Sequence, residues 1–327
     1  MLLLAVPVAA AANEAWVEQV GAGQVLDATQ TGSGNRIGTG PANRLVQGGT
    51  GSNRATLTQS GIGNTIGADG PAAGNAANQT GLGNQITATQ SGSSNTLLFL
   101  QRGTGNGAAQ GVVVQSGEGG TVSLTQTGDR NRFDIRQGGT QNSATIWQFS
   151  SGNAVTVDQN GVGGSITVSQ SVGSGNAATV TQTDGSQNRA VITQAGASNV
   201  AAVTQGGGNG NDASITQIGV ANSFTAGQRG EAQLLVGLQV GLRNKAETSQ
   251  SGSATNVLNL SQFGVSNAFD VVQNASGAGG NFQVYGTQNG TSNSSIITQN
   301  SGASNLVVAM NQLGANNSSI VTQGRGR

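Results

Sequence analysis

Few side chains in this sequence could carry out a reaction. There is no His and no Cys, which excludes imidazole general bases, thiolate metal sites, disulfides and nucleophilic triads that depend on His. The acids Asp134, Asp158, Asp184, Asp212, Glu231 and Glu247 stand singly, at unrelated offsets. Glycoside hydrolysis by two carboxylates brought together in space stays open, but solvated surface charge is the simpler reading. The expectation is a protein that is not an enzyme and holds no cofactor or metal. Thirteen Lys+Arg balance thirteen Asp+Glu, which argues against nucleic acid or an anionic membrane as partner.

The regular feature is a set of amides. Gln recurs at Gln126, Gln137, Gln148, Gln159, Gln170, Gln182, Gln194, Gln205, Gln217, Gln228, Gln239, Gln250, Gln262 and Gln273, always eleven or twelve residues apart. The same spacing shows at Gln79, Gln90 and Gln101, and again from Gln288 to Gln299 and from Gln312 to Gln323. Asn176, Asn188, Asn199, Asn211, Asn222, Asn244, Asn256 and Asn267 each precede a Gln by six residues, as do Asn131, Asn142, Asn153 and Asn317. The interval is constant, and the extra residue of a twelve-residue unit falls between Gln and the next Asn, as in "QSVGSGN" against "QAGASN".

Period two accounts for this. Asn188, Ala190, Ile192 and Gln194 share one face of a strand, whereas Arg189, Val191 and Thr193 share the other. An insertion within the strand would turn every later side chain to the wrong face, and one in the gap would not. Gly196, Gly219, Gly241 and Gly264 suit the positive φ of a tight arc. Pro occurs only at 7, 41 and 71, so nothing after Pro71 interrupts backbone pairing. Two such strands make one layer of about 22 residues. The chain is therefore expected to be all-β, a β-solenoid of stacked strand-turn-strand repeats whose two parallel sheets enclose a thin core of Ala, Val and Ile. Strands ending at Gln126, Gln148, Gln170, Gln194, Gln217, Gln239 and Gln262 fall in one sheet, and the intervening ones in the other. Stacked about 4.8 Å apart, identical amides can bond to one another along the axis, avoiding the ~1–3 kcal/mol cost of an isolated buried amide. Amides facing solvent as turn residues are the alternative.

The chain divides by regularity. Residues 1–12, "MLLLAVPVAAAA", read as the apolar part of an export signal, too short for a membrane span. The positive segment that usually precedes such a run is missing, so either the start lies upstream or the signal is atypical. A lead-in follows at 13–24, then irregular repeats at 25–125 interrupted by "GTGPANRLVQGG" and "GADGPAAGN", regular repeats at 126–273, and C-terminal repeats at 274–327. No amphipathic cap covers the last repeat, Asn317 to Gln323, which leaves a strand edge and its amides open to another copy.

The unit Q-x-G-x-x-N-x-A-x-V-x-Q, nearly intact in "QAGASNVAAVTQ" from Gln194 to Gln205 and looser in "QGGTQNSATIWQ" from Gln137 to Gln148, resembles the curlin repeat of curli fibre subunits. The resemblance covers most of the chain from about residue 79. Units such as "QRGEAQLLVGLQ" depart from it by lacking the Asn. It implies an exported bacterial subunit that assembles with itself into an extracellular cross-β fibre of the biofilm matrix, a functional amyloid aided by nucleator and secretion proteins. A monomeric secreted β-helical adhesin or glycan-binding protein is the alternative. An ice-binding solenoid would need outward Thr pairs in every layer, and "TLT" at 56–58, "TAT" at 87–89 and "TVT" at 179–181 do not supply them. The outward Arg189, Asp158 and Asp212 could act as gatekeepers against premature assembly or simply keep the chain soluble.

Overall fold

A computed structural model describes residues 12–41, 43–67, 77–108, 111–252, 255–275, 281–301 and 305–324. The export segment expected at 1–12 lies outside the described residues except for Ala12. The described chain winds as a β-solenoid in which every paired strand is parallel to its neighbours. Alternate strands go to two sheets, one of which runs in unbroken order through 13 strands from Val25–Ser33 to Ser318–Gly324. The other contains strands split in two by insertions and ends with Leu306–Ala315. The strands before residue 126 pair into these same sheets.

Register follows the amides. Gln194 pairs with Gln170 on one side and Gln217 on the other, and Gln205 with Gln182 and Gln228. Each strand then sends two small or branched residues inward, such as Ala190 and Ile192 opposite Ala201 and Val203, all fully buried. Two of the aromatic rings enter where a glycine gives way. A Cβ at Gly237 would overlap the ring of buried Phe224, and one at Gly286 would crowd Phe269. Such large-to-none pairs keep the core at uniform thickness.

The arcs depend on left-handed backbone at two positions. Gly219 has φ 119°, and a Cβ there would strike the carbonyl of Gly241 in the next coil, so only glycine permits the close stacking. The residue before the Asn is also left-handed in most coils but need not be glycine: Ser198, Ala221, Arg243 and Ser266 all have φ between 55° and 57°.

The six-residue interval from Asn to Gln does not hold throughout. Insertions at 38–44, 67–76 and 107–110 fall between the coil-opening Asn and its Gln. Register survives because each insertion takes the place of one outward residue. Ile37 and Ile66 align with Leu97, and Leu45 and Ala77 align with Phe99, so both insertions leave the sheet where Leu98 stands in the next coil. Likewise Gly111 rejoins opposite Phe133, and residues 107–110 stand in for the outward Arg132. Beyond Gly67 the "GADGPAAGN" segment lies outside the described residues.

Candidate functional site

The Gln side chains form two continuous ladders. In one sheet Gln19, Gln47, Gln79, Gln101, Gln126, Gln148, Gln170, Gln194, Gln217, Gln239, Gln262, Gln288 and Gln312 each donate from Nε2 to the Oε1 of the next, over 2.6–3.0 Å, until the last. In the other, Gln30, Gln59, Gln90, Gln115, Gln137, Gln159, Gln182, Gln205, Gln228, Gln250, Gln273, Gln299 and Gln323 do the same over 2.7–3.1 Å. The second amide hydrogen usually goes to a backbone carbonyl at the start of a strand in the opposite sheet. Gln194 donates to Ala177 O at 3.0 Å and Gln217 to Val200 O at 2.9 Å. The ladder thus satisfies the buried amides and ties the two sheets together.

Asn closes the arcs. Asn222 donates its backbone N–H to Asn199 Oδ1 at 3.0 Å, and its side-chain amide to Asn199 Oδ1, to Ile218 O four residues back and to Gly241 O in the next coil. On the edge leading into the 13-stranded sheet, Asn53, Asn84, Asn106, Asn131, Asn153, Asn176, Asn199, Asn222, Asn244, Asn267, Asn293 and Asn317 make the backbone link without a break. The opposite edge is interrupted. Asn188 and Asn211 stack, but Asn142 lies between Gly120 and Gly164, and Asn256 lies between Gln233 and Phe282. Asn142 therefore does not stand in an amide column, because both neighbouring coils supply glycine at its level, whereas Asn256 ends the short column of Asn188, Asn211 and Gln233 and meets Phe282 on its far side. Phe282 is buried with Ala275 and Leu306, an apolar plug where other coils have Asn.

The ladders extend beyond the regular region. Gln19, Gln30, Gln47, Gln59 and Gln115 were hidden by the insertions, which stretch the Gln spacing. The signal that locates some of these coils is the short Asn-to-Gln unit itself, as in Asn53 to Gln59 and Asn84 to Gln90.

The ends of the stack are complementary. Every Gln donates toward the C-terminal side, so Gln312 and Gln323 present amide N–H groups beyond the last described coil, while Gln19 and Gln30 present oxygens at the first. Asn317 presents Oδ1 in the place where Asn293 Oδ1 accepts from Asn317 itself. The last coil is also more exposed than those inside, with Ile320 73% and Leu313 65% accessible.

Outward charges pair locally. Arg189 meets Asp212 of the adjacent coil at 2.9 Å, Arg36 meets Glu14 and Arg44 meets Glu18. Hydrogen bonding to Asp134 holds the Arg136 guanidinium above its usual pKa, and Glu247 does the same for Lys245. The outward pairs Thr56/Thr58 and Thr87/Thr89 lie side by side, but Val112/Val114 and Asp134/Arg136 follow them and break the array. An open groove of about 600 Å³ lies beside Gly206, Gly227 and Arg229. Among the described residues no helix is long and apolar enough to cross a membrane.

The curlin associated repeat family matches residues 128–161 and 185–219, segments that contain these arcs and rungs. This is a curlin-repeat protein. No curated protein matches the chain in sequence. The curlin geometry itself reaches further than the two matched segments, since the same rungs, at the same separation, run through the coils on either side of them.

Proposed function

We propose that this curlin-repeat protein is a structural subunit of an extracellular, curli-like amyloid fibre on the bacterial cell surface, contributing to biofilm matrix, surface adhesion and cell aggregation. Its partner is a second copy of itself, with nucleator and secretion proteins of the curli type assisting export and the start of growth. The role is structural and non-catalytic. The observation that carries this reading is the match between the two ends of the stack. The strands Leu306–Ala315 and Ser318–Gly324 offer open edges and Gln donors. The strands Val17–Val20 and Val25–Ser33 offer edges and Gln acceptors in the same order. Docking one on the other continues both sheets and both ladders, with Gln312 donating to Gln19 and Gln323 to Gln30.

The test is assembly of the chain lacking residues 1–12 on release from denaturant. A lagged sigmoidal rise in thioflavin T fluorescence, with fibre reflections near ~4.7 and ~10 Å, is the expected result. A folded β protein that stays monomeric would replace this reading with that of a secreted β-helical adhesin.

A further inference from the structure

The two outer faces of the solenoid are chemically unequal. Call the sheet that ends in Leu306–Ala315 the smooth sheet. From Thr121 to its last strand, the only charged residues on its strands are Arg189 and Asp212, and these neutralise each other at 2.9 Å. The opposite sheet over the same coils carries Arg132, Asp134, Arg136, Asp158, Lys245 and Glu247, among others, with exposed apolar residues such as Val200 and Val272 between them and Ile296 beside Ile320 only at its C-terminal end.

The smooth face is also apolar toward the C-terminal half. The strand Leu234–Leu242 turns Leu234, Val236, Leu238, Val240 and Leu242 outward, with no polar side chain between them on that face. Ile218 and Phe263 flank Val240 on the two neighbouring strands, and Tyr285, Val307 and Leu313 follow further on, beyond the uncharged Asn259, Gln283 and Asn289. Val236 is 38% and Tyr285 43% accessible. A solvated strand face normally alternates with polar residues, and a lone chain gains nothing from leaving these side chains in water.

We propose that the smooth face is a lateral interface between two copies of this chain, packed sheet to sheet with the charged faces outward. The five strands from Asp212 to Ala315 present roughly 700 Å² at ordinary strand spacing and rise, close to the ~800 Å² per partner of a standard stable interface. Both faces rise by the same step per coil, so side chains that interdigitate in one coil stay in step in the next. The near absence of net charge removes the repulsion that would keep two identical faces apart. This contact is separate from the end-to-end one and would make each assembly two solenoids wide.

The test compares Val236→Lys/Tyr285→Lys, which charges the smooth face, with Thr225→Lys/Val272→Lys, which charges the other. All four positions are outward and solvent-accessible, so the coil itself tolerates either pair. Mass per unit length is measured on unstained fibres. The unsubstituted chain and the Thr225/Val272 variant are expected to show two chains per ~60 Å of axis, the length of 13 coils, and the Val236/Tyr285 variant half that value with thioflavin-positive growth retained. A single-chain width for the unsubstituted protein, or an equal effect of both variants, overturns the proposal. A single-width chain that instead co-sediments with phosphatidylcholine vesicles reassigns the face to a lipid surface and overturns it as well. Should the chain fail to elongate, the end-to-end reading falls, and the lateral pair is read in solution by sedimentation as a dimer that the Val236/Tyr285 variant converts to monomer.

Discussion

Gln194 shows what one rung does. Its amide is fully buried, accepts from Gln170, and donates to Gln217 and to Ala177 O. Gln194→Ala would open a cavity and strand the Gln170 N–H and the Gln217 oxygen at once. A loss of about 2–4 kcal/mol is expected, read from the urea midpoint of the freshly desalted, unassembled chain. Gln323→Ala, at the half-exposed end of the other ladder, should cost less than about 1 kcal/mol, while slowing the rate at which new chains add. Equal effects of the two on stability would mean that interior rungs are not cooperative. The amides were readable from sequence because strand parity put them on the same face as Ala and Ile. Their partners on the interrupted edge were not, since Gly120, Gly164 and Phe282 hold the Asn level without resembling Asn.

Among the elements, strands are fixed and arcs are elastic, with a qualification that only the structure supplied. One Gly added between Gly219 and Asn222 should leave the fold intact at a cost under about 1 kcal/mol, whereas one added between Ser214 and Thr216 should unfold several coils by misplacing Ile215 or Gln217. Circular dichroism with limited proteolysis separates these outcomes. The insertions at 38–44, 67–76 and 107–110 show a third route, in which the flanking strands keep register as if a single outward residue stood between them. They also explain why the first coils were the least readable part of the fold. Gln30 to Gln47, Gln59 to Gln79 and Gln101 to Gln115 are 17, 20 and 14 residues apart, so the period breaks while the register does not. The two-sheet arrangement from Gln126 to Gln273 followed directly from the period, because there the insertions are confined to the arcs.

For the molecule as a whole, the open edge and the internal pairing can be separated by one substitution. Ser294 N donates to Asn317 O of the following coil at 2.8 Å, and alternation along a parallel strand then directs the N–H of the outward Ile320 away from the body of the protein. Ile320→Pro should therefore leave the chain's own ladder intact while removing a donor that a docking copy needs. The expected result is an unchanged urea midpoint with seeded elongation slowed at least several-fold. Unimpaired elongation would place growth elsewhere than this edge. The single direction of the Gln bonds has a further consequence. Each side-chain amide is a dipole of the kind a peptide unit carries, about 3.5 D, and within a ladder the components along the axis add. In a chain whose formal charges balance the ladders thus add a polarity along the axis, and in a fibre of like-oriented copies that polarity would accumulate with length.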